Sequence, residues 1–583
     1  MRTAVPVWLA GLVLALGGCV GLPESGPVVE AGTDGSSNDD VACCYLPNGP
    51  QPGESATDIV QHFLEAMQAT PIQTTVAQQF LTEAARASWD PEQQTIVYGE
   101  RGTPRGDTRV SVALTDAHRL DSRGVFAGPL RADERTLSFR MAIEGDEWRI
   151  AEVPRNALIV PQTWTEEHFS AVDVYYVDPT ARILVPEPVT VPRGDQFATA
   201  LARSLLSGPG PALDRVSRNF LPRGLSLFTV PVDADGVADV AFQGDASGMS
   251  AQEAELAAVQ VAWTLRQDPS ITSIRLTADG QALPGQPSLI PVDGGGEYDP
   301  ADFSASDSVF ALRDGRLVSG QIDAMSPVDG PAGQQDYGIT SFGVSLDSTR
   351  LAGVTGGGSA LLLGPTHDED GTLVEIVSGA TSLLPPVWDF ADRMWLIDRT
   401  PAGAQVTLID DDGGRLVEVP GITGARVRHV LVSRDGSRLI AAVRRVRTVG
   451  GRPRPARDDL LASRIQYDDR GDLLGATPAR KLSWPTGERP RVRDVAWRTP
   501  TSVAVLHPIR DVVQVRTLAV DGSPASLGAA SSSLPAGFRY LIGSPEEGGT
   551  LYAASTRGYT DLTETNRTTA EADAEPANIT YTG

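Results

Sequence analysis

Few residues of this 583-residue chain have the types and spacing that chemistry requires: three cysteines, six histidines, three acidic clusters and one run of arginines. Cys19 stands directly behind Leu16, Gly17 and Gly18 at the end of an apolar run, and small residues ahead of a cysteine mark a secretory signal. Cys43 and Cys44 are adjacent and could close only a strained ring, so no disulfide framework is expected; a vicinal disulfide or an intermolecular bridge are the alternatives to free thiols. None of His62, His118, His168, His367, His429 and His507 lies in HExxH or four residues from another. With no second Cys/His pair at ligand spacing, no metal site is expected. Neither a G-x-S-x-G elbow nor a Walker loop occurs, so no catalytic residues, no cofactor and no enzymatic activity are expected. The clusters beginning at Asp233, His367 and Asp410 each contain Asp-Gly or lead into Gly. They lie between strand-like runs and lack the distal Glu of an EF-hand, which predicts hairpin turns rather than Ca²⁺ loops.

The arginines stand out against their background. Arg444, Arg445, Arg447, Arg452, Arg454 and Arg457 fall in a stretch free of Asp and Glu, within a chain of net charge −25 whose only lysine is Lys481. Gly450, Gly451, Pro453 and Pro455 lie between them, which predicts a mobile loop. Its guanidinium groups suit an acidic partner protein, an anionic wall polymer or lipid headgroups. The strongly acidic chain as a whole would be repelled by phosphate backbones, so no nucleic-acid partner is expected.

The apolar run from Ala4 to Leu16 is shorter than the roughly 20 residues that span a bilayer. Leu16-Gly17-Gly18-Cys19 resembles a bacterial lipobox, which implies that residues 1–18 are removed and that Cys19 carries S-diacylglyceryl and N-acyl groups. Multiple acyl chains hold a protein at a membrane, since each buried CH₂ contributes about 0.8 kcal/mol. A lipid-anchored protein on the extracytoplasmic face of the cell membrane is expected. Residues 19–53 are rich in Gly, Pro, Ser, Asn and Asp and predict a flexible tether.

Behind the tether the expected fold class is multidomain: two α+β domains followed by an all-β propeller. In 54–160, the stripe Ile59, Phe63, Met67 predicts a helix, and strand-like runs such as Arg109 to Leu114 and Thr136 to Ile143 follow. The strings Phe80-Leu81-Thr82-Glu83-Ala84 and Trp148-Arg149-Ile150 resemble the NTF2-like fold. In 161–299, a strand over Val172 to Val177 precedes a proline-rich run placed at a sheet edge. A helix over Asp195 to Ser207, a hairpin of Leu225–Val232 with Val237–Phe242, a helix over Ala251 to Arg266 and a strand over Ile271 to Thr277 follow. With Leu205-Leu206-Ser207-Gly208-Pro209, this region is similar to the GerMN domain, a family of non-catalytic binding modules. From about residue 300 a repeat replaces helical periodicity: Phe342 to Leu351, Val430 to Leu439 and Val495 to Val503 share a strand, polar turn, strand plan at about the 40–50-residue period of propeller blades. Six blades, with a seventh possible, are expected over 300–560, leaving 561–583 as a polar tail.

The order of lipobox, tether, NTF2-like, GerMN-like and propeller regions resembles the actinobacterial LpqB lipoprotein family. That resemblance implies a non-enzymatic accessory of a two-component system in cell-envelope homeostasis and division, contacting the extracellular sensor domain of a membrane histidine kinase. Peptidoglycan or another wall polymer is an alternative partner. A wall-glycan hydrolase with a carboxylate pair in the propeller mouth is the competing class, since such chemistry needs two acids about 5–9.5 Å apart.

Overall fold

A capping box starts the first helix, Ala56–Ala66: Ser55 Oγ accepts from Asp58 N, and the Asp58 carboxylate accepts from Ser55 N. Its apolar stripe, Ile59, Val60, Phe63 and Leu64, is fully buried. The computed structural model describes residues 45–302, 305–446, 448–449, 452–453, 456–484, 491–525, 532–546, 548–556, 558–563, 569–571 and 577–583. The lipobox, Cys19, Cys43 and Cys44, together with Arg447 and Arg454, lie outside the described residues. Leu46–Gly583 is one compact unit. The end of the expected tether belongs to it, because Gly53 N donates to the Glu147 carboxylate at 3.0 Å.

The first module holds its helices on two four-stranded sheets, around a core that includes Phe63, Phe80, Trp89 and Phe139. Its two diagnostic strings meet: Thr82 N donates to Ile150 O and Ile150 N to Phe80 O, at 3.0 and 2.9 Å.

The second module opens with an antiparallel pair, Phe169–Val177 against Leu184–Pro192, and the prolines are accommodated because this sheet has only two strands. The helix Ala251–Leu265 takes the place of a third strand. Tyr175 N donates to Thr264 Oγ1 and Tyr175 O accepts from Gln260 Nε2, both at 3.1 Å. Just past the helix, Gln267 Oε1 accepts from Asp173 N at 2.9 Å. Positions 260, 264 and 267 share one helical face, so a row of side chains satisfies backbone groups that a sheet edge would leave open. The expected hairpin of Leu225–Val232 with Val237–Phe242 closes around its Asp235-Gly236 turn, where Asp233 N donates to Val237 O at 3.1 Å and Asp239 N to Pro231 O at 2.9 Å, but it is not a continuous ladder. Val230 N is taken by Thr199 Oγ1, Pro231 has no N–H, and only the bridges Ser226↔Gln243 and Val232↔Ala238 remain. Val237–Phe242 also runs parallel to Ser273–Ala278.

The remainder is a propeller. Six sheets of four or five strands are present among the described residues, apart from one small hairpin. Blades 2 to 6 begin with Ser341–Val344, Val387–Trp388, Val427–Val432, Asp494–Thr499 and Tyr540–Gly543. Blade 1 takes its first strand from the far end of the chain: Ala577–Thr580 pairs antiparallel with Val309–Arg313. These six first strands touch one another in sequence around a closed ring. The expected polar tail is therefore part of the propeller. A blade that starts at Val309 lacks an innermost strand, and the terminal segment supplies it, with Ile579 buried beside Val309, Ala311 and Ile542.

The polar turns of the repeat have one construction. Ser345 Oγ donates to Asp347, Ser433 Oγ to Asp435 and Ser544 Oγ to Glu546, at 2.6, 2.6 and 2.5 Å. The same turns form the face on which the second module sits. Ile183 packs on Leu346 and Phe390, and Thr501 Oγ1 donates to Asp173 at 3.0 Å. Glu187 accepts from both Arg438 and Arg464, and Arg438 also pairs with Asp435 at 3.2 Å. Glu187 and Arg438 are almost wholly buried. Between the first two modules, Gly124 at φ +80° lies against the 190 backbone, where Thr190 N donates to its carbonyl at 2.9 Å.

Candidate functional site

One strand of blade 4, Arg438–Arg445, connects the two faces of the propeller. Arg438 is buried beneath the second module, whereas Arg444 and Arg445, about 20 Å further along at the rise of a strand, are exposed. The expected mobile loop is a hairpin extension: Arg445 pairs with Arg457 and Arg444 with Asp458 in strand register, and Thr448–Val449 pairs with Arg452–Pro453. β-Branched Val443, Thr448 and Val449 favour continued pairing. The stretch is also less isolated in charge than its composition suggests. Asp459 accepts from Arg445 at 3.3 Å and from Lys481 at 2.7 Å. Burial would raise the Asp459 pKa, but Lys481, Arg445 and Arg457 hold it below the ordinary value.

Beside the hairpin base, between blades 4 and 5, is a recess of about 300 Å³ lined by Arg428, Arg444, Arg491 and Arg493, with Asp458 and Val492 among its other walls. Among the described residues none of these four guanidinium groups is in an ion pair. Arg493 Nη1 is pinned by the carbonyls of Ala536 and Phe538, at 2.8 and 2.7 Å. Asp458 does not neutralise the arginines: its Oδ2 accepts from Val492 N at 2.9 Å, and its Oδ1 is buried without a partner. Next to the recess, Asp494 bridges inner strands, pairing with His429 at 3.3 Å and accepting from Leu541 N at 2.8 Å.

Of the arginines singled out from sequence, only Arg444 lines this recess. Arg445 and Arg457 pair across the hairpin, and Arg452 lies in its short outer strand. Arg428, Arg491 and Arg493 were not among the candidates. Their signal is the triplet Arg-Val-Arg at 426–428 and 491–493, whose valines are buried at 3% and 2% exposure. Alternation of this kind places both arginines on the opposite face of an extended segment.

The three acidic clusters are turns: the leading Asp233, Asp368 and Asp410 each accept from a backbone N–H two residues on, at 3.0, 3.1 and 3.1 Å. A separate cleft of about 460 Å³ between the second module and the propeller contains Asp299, Asp302, Asp307 and Glu546. Asp299 accepts from Ala301 N at 2.7 Å, and Glu546 from Ser544 Oγ and Arg434. Burial, followed by the charges of Asp299, Glu546 and Asp307, raises the pKa of Asp302. No described helix is long and apolar enough to cross a membrane.

Comparison with known proteins follows the same module boundaries. The family model for the N-terminal domain of lipoprotein LpqB matches residues 49–166, that for sporulation and spore germination matches 173–284, and that for the LpqB beta-propeller domain matches 315–571. Relatives named Lipoprotein LpqB align over nearly the whole chain. The one from Thermobifida fusca is 28% identical, covering 91% of this chain and 91% of its own. That from Cutibacterium acnes is 27% identical over 93% of each, and that from Mycolicibacterium smegmatis 26% identical over 99% and 96%. Both LpqB-specific models are matched in order around the central module, and the chain is similar over nearly its whole length to relatives named Lipoprotein LpqB.

Proposed function

We propose that this lipoprotein is a non-catalytic, extracytoplasmic accessory of a membrane sensor histidine kinase in envelope homeostasis, anchored through Cys19 and presenting the hairpin face of its propeller to the sensor domain. The observation that carries this reading is the arginine-rich surface at the end of the propeller away from the second module, in a chain of net charge −25. Burying one propeller face under the second module leaves the other for partners, and confinement to the membrane raises the local concentration of any membrane-bound partner. Against the hydrolase alternative, Asp299 and Glu546 in the acidic cleft are engaged in turn and ion-pair contacts. Crosslinking in intact cells should capture a sensor kinase. Charge reversal at Arg452 and Arg457 should reduce the yield, and recovery of abundant lipoprotein without any kinase would refute the reading.

A wall-polymer partner is favoured by a different feature, a groove of about 660 Å³ in the second module, where Arg193, Asp195 and Gln267 stand beside Phe197 and Val230. Mixed polar and apolar walls suit a glycopeptide. Retention of the full-length protein on purified peptidoglycan, lost on Phe197→Asp with folding intact, is the outcome this reading requires.

A further inference from the structure

We propose that the recess formed by Arg428, Arg444, Arg491 and Arg493 is a binding site for a phosphate-bearing ligand, recognised as a dianion. The four arginines come from separate places in the chain: Arg428 from the first strand of blade 4, Arg444 from the end of its second, and Arg491 and Arg493 from the segment entering blade 5. The fold therefore brings four like charges together, although their mutual repulsion opposes it. Arginines elsewhere in the chain are commonly committed: Arg393 to Asp389, Arg438 to Glu187 and Asp435, Arg350 to Asp392. In the recess, no hydrogen bond or ion pair among the described residues holds the guanidinium of Arg428, Arg444 or Arg491.

The nearby carboxylate sharpens the choice of ligand. Asp458 is 4% exposed and directed into the scaffold, fixing the Val492 backbone. Its single charge leaves the described lining residues of the recess with a formal excess of three positive charges. A lone carboxylate would leave most of these donors unused. A phosphate monoester carries about −1.5 to −2 at pH 7 with three acceptor oxygens, and guanidinium forks bind such oxygens in bidentate fashion. Arg493, held on one side by Ala536 and Phe538, presents its remaining N–H groups without further ordering. The volume of about 300 Å³ exceeds one phosphate group and leaves space for part of the molecule that bears it.

Phosphate binding is independent of the kinase partner, and either can fail alone: one concerns a small anion at the hairpin base, the other a protein meeting the hairpin. Full-length protein in nanodiscs of neutral lipid is titrated calorimetrically with inorganic phosphate at constant ionic strength. One saturable site is expected, weakening as the pH is lowered and the dianion gains a proton. Acetate should bind at least tenfold more weakly. Arg428→Gln and Arg491→Gln should each lower phosphate affinity about tenfold or more, as expected for loss of a charged hydrogen bond. Arg399→Gln, on a side chain already bonded to Ser382, should leave it unchanged. Unaltered thermal unfolding of the variants keeps the comparison valid, and Arg444→Gln, at an exposed position, replaces any that misfolds. Discs containing phosphatidate distinguish the sources: loss of free-phosphate binding there assigns the site to a lipid headgroup, and retention assigns it to a soluble phosphate. Equal affinity for acetate and phosphate, or unchanged affinity in all three recess variants, would overturn the proposal.

Discussion

Replacing Glu187 by Gln should weaken the attachment of the second module to the propeller far more than a typical surface change. Glu187 lies between Arg438 and Arg464, with side chains 6%, 1% and 18% exposed respectively. The amide keeps the shape but removes the charge, leaving Arg438 paired with Asp435 and Arg464 without an ion-pair partner among the described residues. Arg464 feels this most, since burial and the Arg438 charge already lower its pKa and Glu187 opposes them. Breaking a buried ion pair from one side costs about 3–5 kcal/mol, a large part of the roughly 5–15 kcal/mol that holds a domain folded. The test is urea denaturation followed by tryptophan fluorescence, with hydrogen exchange of the Phe169–Val177 amides separating undocking from global unfolding. The same logic predicts that the double variant Glu187→Leu, Arg464→Leu, which keeps the buried Arg438–Asp435 pair, recovers most of the loss, because apolar packing can replace a buried ion pair. A loss below about 1 kcal/mol for Glu187→Gln, or a double variant no more stable than the single one, would refute the argument.

Three further outcomes follow from local geometry. Burial lowers the pKa of His118 to about 4, from an ordinary value near 6.5. Above the ordinary value both states are neutral; between the two values the unfolded chain binds a proton that the folded chain does not. Stability should thus fall by about 1.4 kcal/mol per unit as pH drops through that window, and His118→Leu should flatten this part of the pH–stability curve. Gly124→Ala should destabilise by more than about 1 kcal/mol in thermal unfolding, since φ is +80° and a Cβ there would collide with the Thr190 carbonyl. Thr264→Val removes the buried hydroxyl that accepts from Tyr175 N and should cost about 1–3 kcal/mol in denaturant unfolding, with faster exchange at that amide.

Much of the fold is legible in the sequence because it is written locally. Ser55 with Asp58 starts the first helix, and the recurrence of Ser345-Leu346-Asp347 as Ser433-Arg434-Asp435 marks the corresponding turns of blades 2 and 4. What was missed depends on distance along the chain. Arg428, Arg444 and Arg491 become neighbours only when blades 4 and 5 are adjacent, whereas the dense run of arginines in the sequence points to the hairpin. Glycines and prolines in that run suggested a loop, but strand pairing extended from both flanks. The terminal strand was missed for a related reason: among 577–580 only Ile579 is a large apolar residue, and its place is set by a vacancy at the other end of the propeller. Likewise, the spacing of Gln260, Thr264 and Gln267 is helical, yet nothing local indicates that these residues serve a strand edge.

The strand Ala577–Thr580 that completes blade 1 also sets an order of events. The chain is made from its amino terminus onward, so blades 2 to 6 can assemble while the ring is still open. Blade 1 must wait with Val309–Arg313 unpaired on one edge until the last few residues arrive. A product that stops short of residue 577, or is clipped there by a protease, therefore retains an exposed strand edge on blade 1, which pairing with 577–580 conceals.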